Sequence, residues 1–188
     1  MTARIGDWIQ TYTGRKFWPL DPRPEDIAVE DIAHALSMKC RFTGHCREFY
    51  SVAQHSCLVA SLLDEAGADV KTTAWGLLHD AAEAYLPDVA RPIKKDLVGF
   101  GEIEARVLRA VAQRFGLPPE IPHGVKYFDT VMLLKEKQDV MPPGPAWGWG
   151  SEVEVPQDWC ITPMPPAEAK QLFLRRFHAL VRHGGITL

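Results

Sequence analysis

The chain has 188 residues and a mass of 21.1 kDa, enough for one compact domain that buries roughly 70% of its extended-chain surface and needs no disulfide staple. Its 21 Lys and Arg against 24 Asp and Glu leave a formal net charge of −3 and a pI near 6.2, which excludes a domain that grips a nucleic-acid polymer through a broad basic face. No apolar run approaches a membrane span, and the opening MTARIGDWIQ has no apolar core behind a basic start, so a cytoplasmic protein away from membranes is expected.

In chain order, the first signal is a short hairpin around Gly14, between Trp8–Tyr12 and Phe17–Trp18. Pro19, Pro22 and Pro24 then make Trp18 to Glu25 a turn-rich patch that excludes a helix. Cys40, Cys46, Cys57 and Cys160 have neither zinc-ribbon spacing nor the density of a disulfide framework, and are expected as reduced thiols. Ser51 is placed to cap a helix to Glu65 whose apolar stripe, Val52, Val59 and Leu62, also holds His55. From Val70 to Tyr85 apolar residues surround the predicted helix, which therefore belongs in the middle of a bundle.

Gly101 to Phe115 reads as a peripheral amphipathic helix, ended by Gly116-Leu117-Pro118. Glu120 to Lys137 reads as another inner helix, with Asp129 on its stripe of Val125, Phe128, Met132 and Leu133. Seven of the 15 prolines then fall between Pro142 and Pro166, together with Trp147, Trp149 and Trp159. This is a flap expected to pack across the domain, because so many indoles are foreign to a disordered linker. A last helix follows Pro165-Pro166 and ends at Gly184-Gly185. The expectation is a single all-α domain, a helical bundle with a short N-terminal hairpin and a Trp/Pro-rich flap.

Polar residues on the apolar stripes point to chemistry. His55, the pair His79-Asp80, and Asp129 belong to three separate inner helices, and an isolated carboxylate in such a place loses its hydration without compensation. A shared metal resolves all three conflicts, and two imidazoles with two carboxylates suit Zn²⁺, Mn²⁺, Co²⁺ or Fe²⁺. A buried salt-bridge network with nearby Arg or Lys is the alternative. Glu83 follows Asp80 by three and His79 by four, so on a continuous helix it points to the same side and could orient or deprotonate water.

The series His55, His79-Asp80, Asp129 resembles the H…HD…D signature of the HD-domain metal-dependent phosphohydrolases. Within them its neighbourhood, about Thr13 to Leu134, is similar to the 5′-deoxynucleotidases and the phage dATP triphosphohydrolases. The resemblance implies an HD-type helical bundle with those four residues as ligands of a divalent transition metal. It makes Glu83 the group that handles the attacking water and Asp88, in Leu86-Pro87-Asp88-Val89, the acid that protonates the leaving oxygen. Lys94, in Arg91-Pro92-Ile93-Lys94, matches a Pro-x-Lys segment whose lysine meets the substrate phosphate. Arg41, 14 residues before His55, and Lys126, three before Asp129, would also face phosphate, and Phe42 takes the place of an aromatic residue that stacks on the base.

The implied activity is hydrolysis of a deoxynucleotide phosphate ester, with a deoxynucleotide as substrate and relatives that form dimers or larger assemblies. A 5′-deoxynucleotidase releasing phosphate from a dNMP is favoured, and a dNTP triphosphohydrolase releasing triphosphate is the alternative. The interval from His55 to His79 is shorter than in the 5′-deoxynucleotidases, and discrimination between the two falls to the flap. A non-catalytic nucleotide-binding regulator, a structural metal bundle and a hydrolase of alarmone or cyclic nucleotides compete with these readings. Against the regulator, a pure sensor has no use for a leaving-group acid.

Overall fold

The computed structural model describes residues 3–188. Two-residue strands β1 (Ile9–Gln10) and β2 (Lys16–Phe17) pair antiparallel with Ile9 opposite Phe17, and Gly14 at φ +80° serves the turn between them. Phe17 is fully buried and stacks on Tyr85 at 4.0 Å between ring centroids, which ties the hairpin to the bundle. Pro24–Asp26 forms one short 3-10 turn inside the proline-rich patch.

The first long element, α1 (Val29–Met38), is one the sequence reading had not assigned, and it buries Ile32, Ala33 and Leu36. Next, α2 (Val52–Glu65) begins where expected, with the Ser51 hydroxyl accepting the Gln54 N–H. Asp69 caps α3 (Val70–Leu78) through the N–H groups of Lys71 and Thr72. Helices α2 and α3 meet closely at Gly76, where a Cβ would lie 2.4 Å from Leu63 Cδ1 and 3.3 Å from Ala60 Cα.

A continuous helix from Val70 to Tyr85 is not what forms. Helix α3 stops at Leu78, and Ala81–Ala84 is a separate 3-10 segment. The His79 ring nitrogen Nδ1 lies 2.8 Å from the Gly76 carbonyl oxygen, competing for the acceptor that the Asp80 N–H would use in a longer α-helix.

Beyond the break come α4 (Arg91–Lys94) and α5 (Phe100–Phe115), the latter closed by Gly116 at φ +64°. Helix α6 (His123–Asp139) starts three residues later than its pattern suggested, after Pro122, and α7 (Pro166–Arg182) takes Pro166 at its first position. Helices α2 and α3 form the centre, with α6 and α7 packed against both and α1 against α2 and α7. The flap follows α6 and carries neither helix nor strand. It packs on the domain through named bonds: Gln54 donates to the Thr162 carbonyl and accepts from Met164 N, and Asp139 accepts from Ile161 N at 2.8 Å.

All four cysteines are free thiols, Cys57 buried and Cys160 exposed. Among the described residues no helix is long and apolar enough to cross a membrane.

Candidate metal centre

Helix α2 projects His55 from the middle of the core, fully buried, and the break after α3 brings His79 and Asp80 to meet it. The two Nε2 atoms lie 3.3 Å apart, and Asp80 Oδ2 is 3.7 Å from His55 Nε2 and 3.4 Å from His79 Nε2. From α6, Asp129 Oδ1 reaches 3.2 Å from His55 Nε2 and 3.8 Å from His79 Nε2. The expected convergence of three elements is present, with one correction. Asp129 is not a buried carboxylate in need of rescue: its side chain is 41% exposed, against 22% for Asp80, because both stand at the open rim of the cluster above the buried imidazoles.

The hydrogen bonds behind the rings decide which atoms face inward. Gly76 O can only accept, so His79 Nδ1 carries the hydrogen, and in the neutral ring Nε2 presents a lone pair. Likewise His55 Nδ1 lies 2.6 Å from Glu136 Oε1. Two imidazole lone pairs and two carboxylates therefore point at one spot, an arrangement that a cation relieves. His55, His79 and Asp80 offer donor atoms that all lie within 4.8 Å of one another and can hold a metal ion. Without one, the balance falls to protons. Burial and Arg41 oppose a charge on His55, but Glu136 and Asp129 prevail and push its pKa up to about 9. Its partial loss of hydration at the rim would raise Asp129, yet the two histidines hold it well below the usual carboxylate range.

Glu136 was not foreseen. It is fully buried, and besides His55 it accepts from Tyr50 Oη at 2.9 Å and from Arg41 through Nε at 3.0 Å and Nη2 at 2.8 Å. The signal lay in the sequence, seven residues after Asp129 and so on the same face of α6, but a Glu among Lys135, Lys137 and Gln138 reads as surface. Arg41 is held against the start of α2 by its N–H bond to the Tyr50 carbonyl, and its Nη1 comes within 3.7 Å of Asp80 Oδ2. One buried carboxylate thus braces both a candidate ligand and a cation beside the cluster.

Glu83 reaches the site by another route than a helical turn. The 3-10 segment leaves its Oε2 buried and without a hydrogen-bond partner among the described residues. Burial first, then the charges of Asp80 and Asp88, push its pKa up to about 8. Lys39, also not foreseen, is half-buried and donates to the carbonyls of Glu83 and Leu86, pinning the segment that carries Glu83. Asp88 is exposed, close enough for its charge to act on both Glu83 and Lys39.

The remaining cations are less gathered. Lys94 Nζ is 2.6 Å from Glu104 Oε1 on α5, whereas Lys126 is exposed one turn before Asp129. Phe42 follows Arg41 at φ +54°, in a left-handed run with Thr43 and Gly44. A bulky residue pays steric strain there, of a kind that gathers at functional sites. Its ring lies 6.4 Å from that of Trp147 in the flap. His45 is exposed.

Two proteins resemble this chain over nearly its whole length. The uncharacterized protein YfdR of Escherichia coli strain K12 is 34% identical over 174 residues, 92% of this chain and 95% of its own. The chain belongs to their family. The second member, the uncharacterized protein RCAP_rcc00048 of Rhodobacter capsulatus, is 35% identical over 189 residues, 93% of this chain and 96% of its own. No family model matches the chain.

Proposed function

We propose that this protein is an HD-domain phosphohydrolase that uses a divalent transition metal, Zn²⁺, Co²⁺, Mn²⁺ or Fe²⁺, to hydrolyse the 5′-phosphate ester of deoxyribonucleotides, and that dNMP is its substrate. The observation that carries this reading is the focus of His55, His79, Asp80 and Asp129 on one spot, beside a buried Glu83 oxygen that has no hydrogen-bond partner among the described residues. His55, His79, Asp80 and Asp129 would hold the ion. When bound, it supplies Lewis acidity, acidifying water and polarising a phosphoryl oxygen.

The chain's own groups provide the rest. Glu83, whose pKa is near 8 in the metal-free protein, would hold its carboxylate form once a cation's charge lies beside it and would then take the proton of the attacking water. The water oxygen bonds to phosphorus as the bond from phosphorus to the 5′-oxygen breaks, and Asp88 returns a proton to that departing oxygen. Arg41, oriented by Glu136, offsets the charge that builds on the phosphoryl oxygens, aided by exposed Lys126 and by Lys94 once it leaves Glu104. A pure sensor or a structural metal site would have no use for the arrangement around Glu83.

The test is incubation of the metal-loaded protein with dAMP, dATP and AMP, followed by product identification. Free phosphate from dAMP is expected. Triphosphate from dATP would shift the assignment to a triphosphohydrolase cutting the same ester bond, and no release from any of the three overturns the hydrolase reading.

A further inference from the structure

Between the C-terminal half of α6 and the flap lies a cavity of about 600 Å³, within the size range of pockets for small organic ligands. Leu134 and Met141 give it an aliphatic floor, and Trp147 and Trp149, stacked at 5.2 Å between ring centroids, form its wall. Lys137 places its ammonium 4.8 Å over the Trp147 ring and Arg91 its guanidinium 4.8 Å over the Trp149 ring, so a ring that stacks on the pair must displace one of these cations, and the lining holds no carboxylate among the described residues. Gln138 also lines the cavity. Its Oε1 receives a bond from Gln157, while its NH₂ makes no hydrogen bond among the described residues.

An apolar floor, an indole wall and an amide with a free donor are what a flat heteroaromatic ring with polar edges requires. The cavity does not share the ligand face of α6. It connects to the metal cluster through side chains: Arg41 lies 3.7 Å from Asp80, its guanidinium 5.4 Å from the Phe42 ring centre, and Phe42 faces Trp147.

We propose that this flap cavity receives the heteroaromatic base of the nucleotide whose phosphate meets the metal cluster, and that Trp147 and Trp149 are therefore specificity-determining residues. The proposal rests on the phosphohydrolase reading for the identity of its ligand, but base binding can be measured without hydrolysis. Metal-free protein titrated with deoxyadenosine, which has a base and no phosphate, is expected to show quenched indole fluorescence, whereas 2-deoxyribose 5-phosphate leaves it unquenched. Trp147→Ala, which removes the ring that the base stacks on, should weaken deoxyadenosine binding about tenfold, the order of one lost stacking partner, and Trp149→Ala, which removes the ring behind it, should weaken it by a smaller factor. Leu134→Trp, which fills the floor and leaves both indoles in place, should block it as well.

In the metal-loaded enzyme deoxyadenosine should inhibit dAMP hydrolysis competitively. A noncompetitive pattern, or binding that survives all three substitutions, overturns the base pocket. Hydrolysis of dAMP by a protein that does not bind deoxyadenosine overturns it too, and leaves the hydrolase reading intact. Quenching without any hydrolysis supports the pocket and removes the hydrolase.

Discussion

Glu136 is the residue on which the cluster leans most. An imidazole bound to a metal through Nε2 depends on what holds its Nδ1, and here that is a fully buried carboxylate which also holds Arg41. Burial works against the negative charge of Glu136, but Arg41 and His55 outweigh it and keep its pKa below the ordinary value. Glu136→Gln should therefore weaken metal affinity about 10- to 100-fold, read by competition with a chromophoric chelator. The same residue scale sets a pH dependence. A ligand must shed its proton before it can bind metal, so with His55 pushed up to about 9, affinity should strengthen as pH rises toward 9, with proton release measurable by calorimetry in buffers of different ionisation enthalpy. In metal-free protein Glu83 acts on stability with a definite sign. Its folded pKa near 8 lies above the ordinary 4.5, so the folded state holds the extra proton, and stability from this group is full below about 4.5 and lost as pH rises through 8. Glu83→Gln should flatten that part of the denaturation profile.

At the scale of elements, the site is assembled by interruptions of regular structure. Helix α3 has to stop for His79 and Asp80 to turn toward α2, and the stop is secured by the His79 ring on the Gly76 carbonyl. Gly76 has a second constraint, since α2 approaches it too closely for a side chain. Gly76→Val should cost about 2–3 kcal/mol by overpacking against Leu63 and Ala60, seen as an earlier urea midpoint, and should disturb metal uptake because the displaced carbonyl holds a ligand's ring. Ser51→Ala removes only the cap of α2. Its expected cost is about 1 kcal/mol, and because His55 lies a full turn inside that helix, metal affinity should stay close to that of the unmodified protein.

For the whole molecule, the flap and the bundle meet at the site's own supports. Gln54, which takes both a carbonyl and an N–H of the flap, directly precedes His55 on α2, and Asp139, which anchors Ile161, ends the helix that carries Asp129 and Glu136. A metal ion held by His55, His79 and Asp80 would join elements that are far apart in the chain, so it should stabilise the native state by mass action. At a free metal concentration about 100 times the dissociation constant the gain is about 2.7 kcal/mol, visible as a raised Tm that a chelator reverses.

The sequence by itself determined the helical class, the hairpin, the cap at Ser51 and the presence of His55, His79, Asp80 and Asp129 at one place, because apolar periodicity and polar residues that violate it are local patterns. Helix α1 escaped that reading although Ile32, Ala33 and Leu36 carry its stripe. Only the tertiary structure decided where α3 ends, since a side chain competing for a backbone carbonyl leaves no mark in periodicity. It alone made Glu136 a buried hub and Lys39 a clamp, because burial of a charged residue depends on which distant cations and ring nitrogens the fold brings to it. It also decided that Asp129 stands at the rim, where a carboxylate keeps part of its hydration and faces what enters the site.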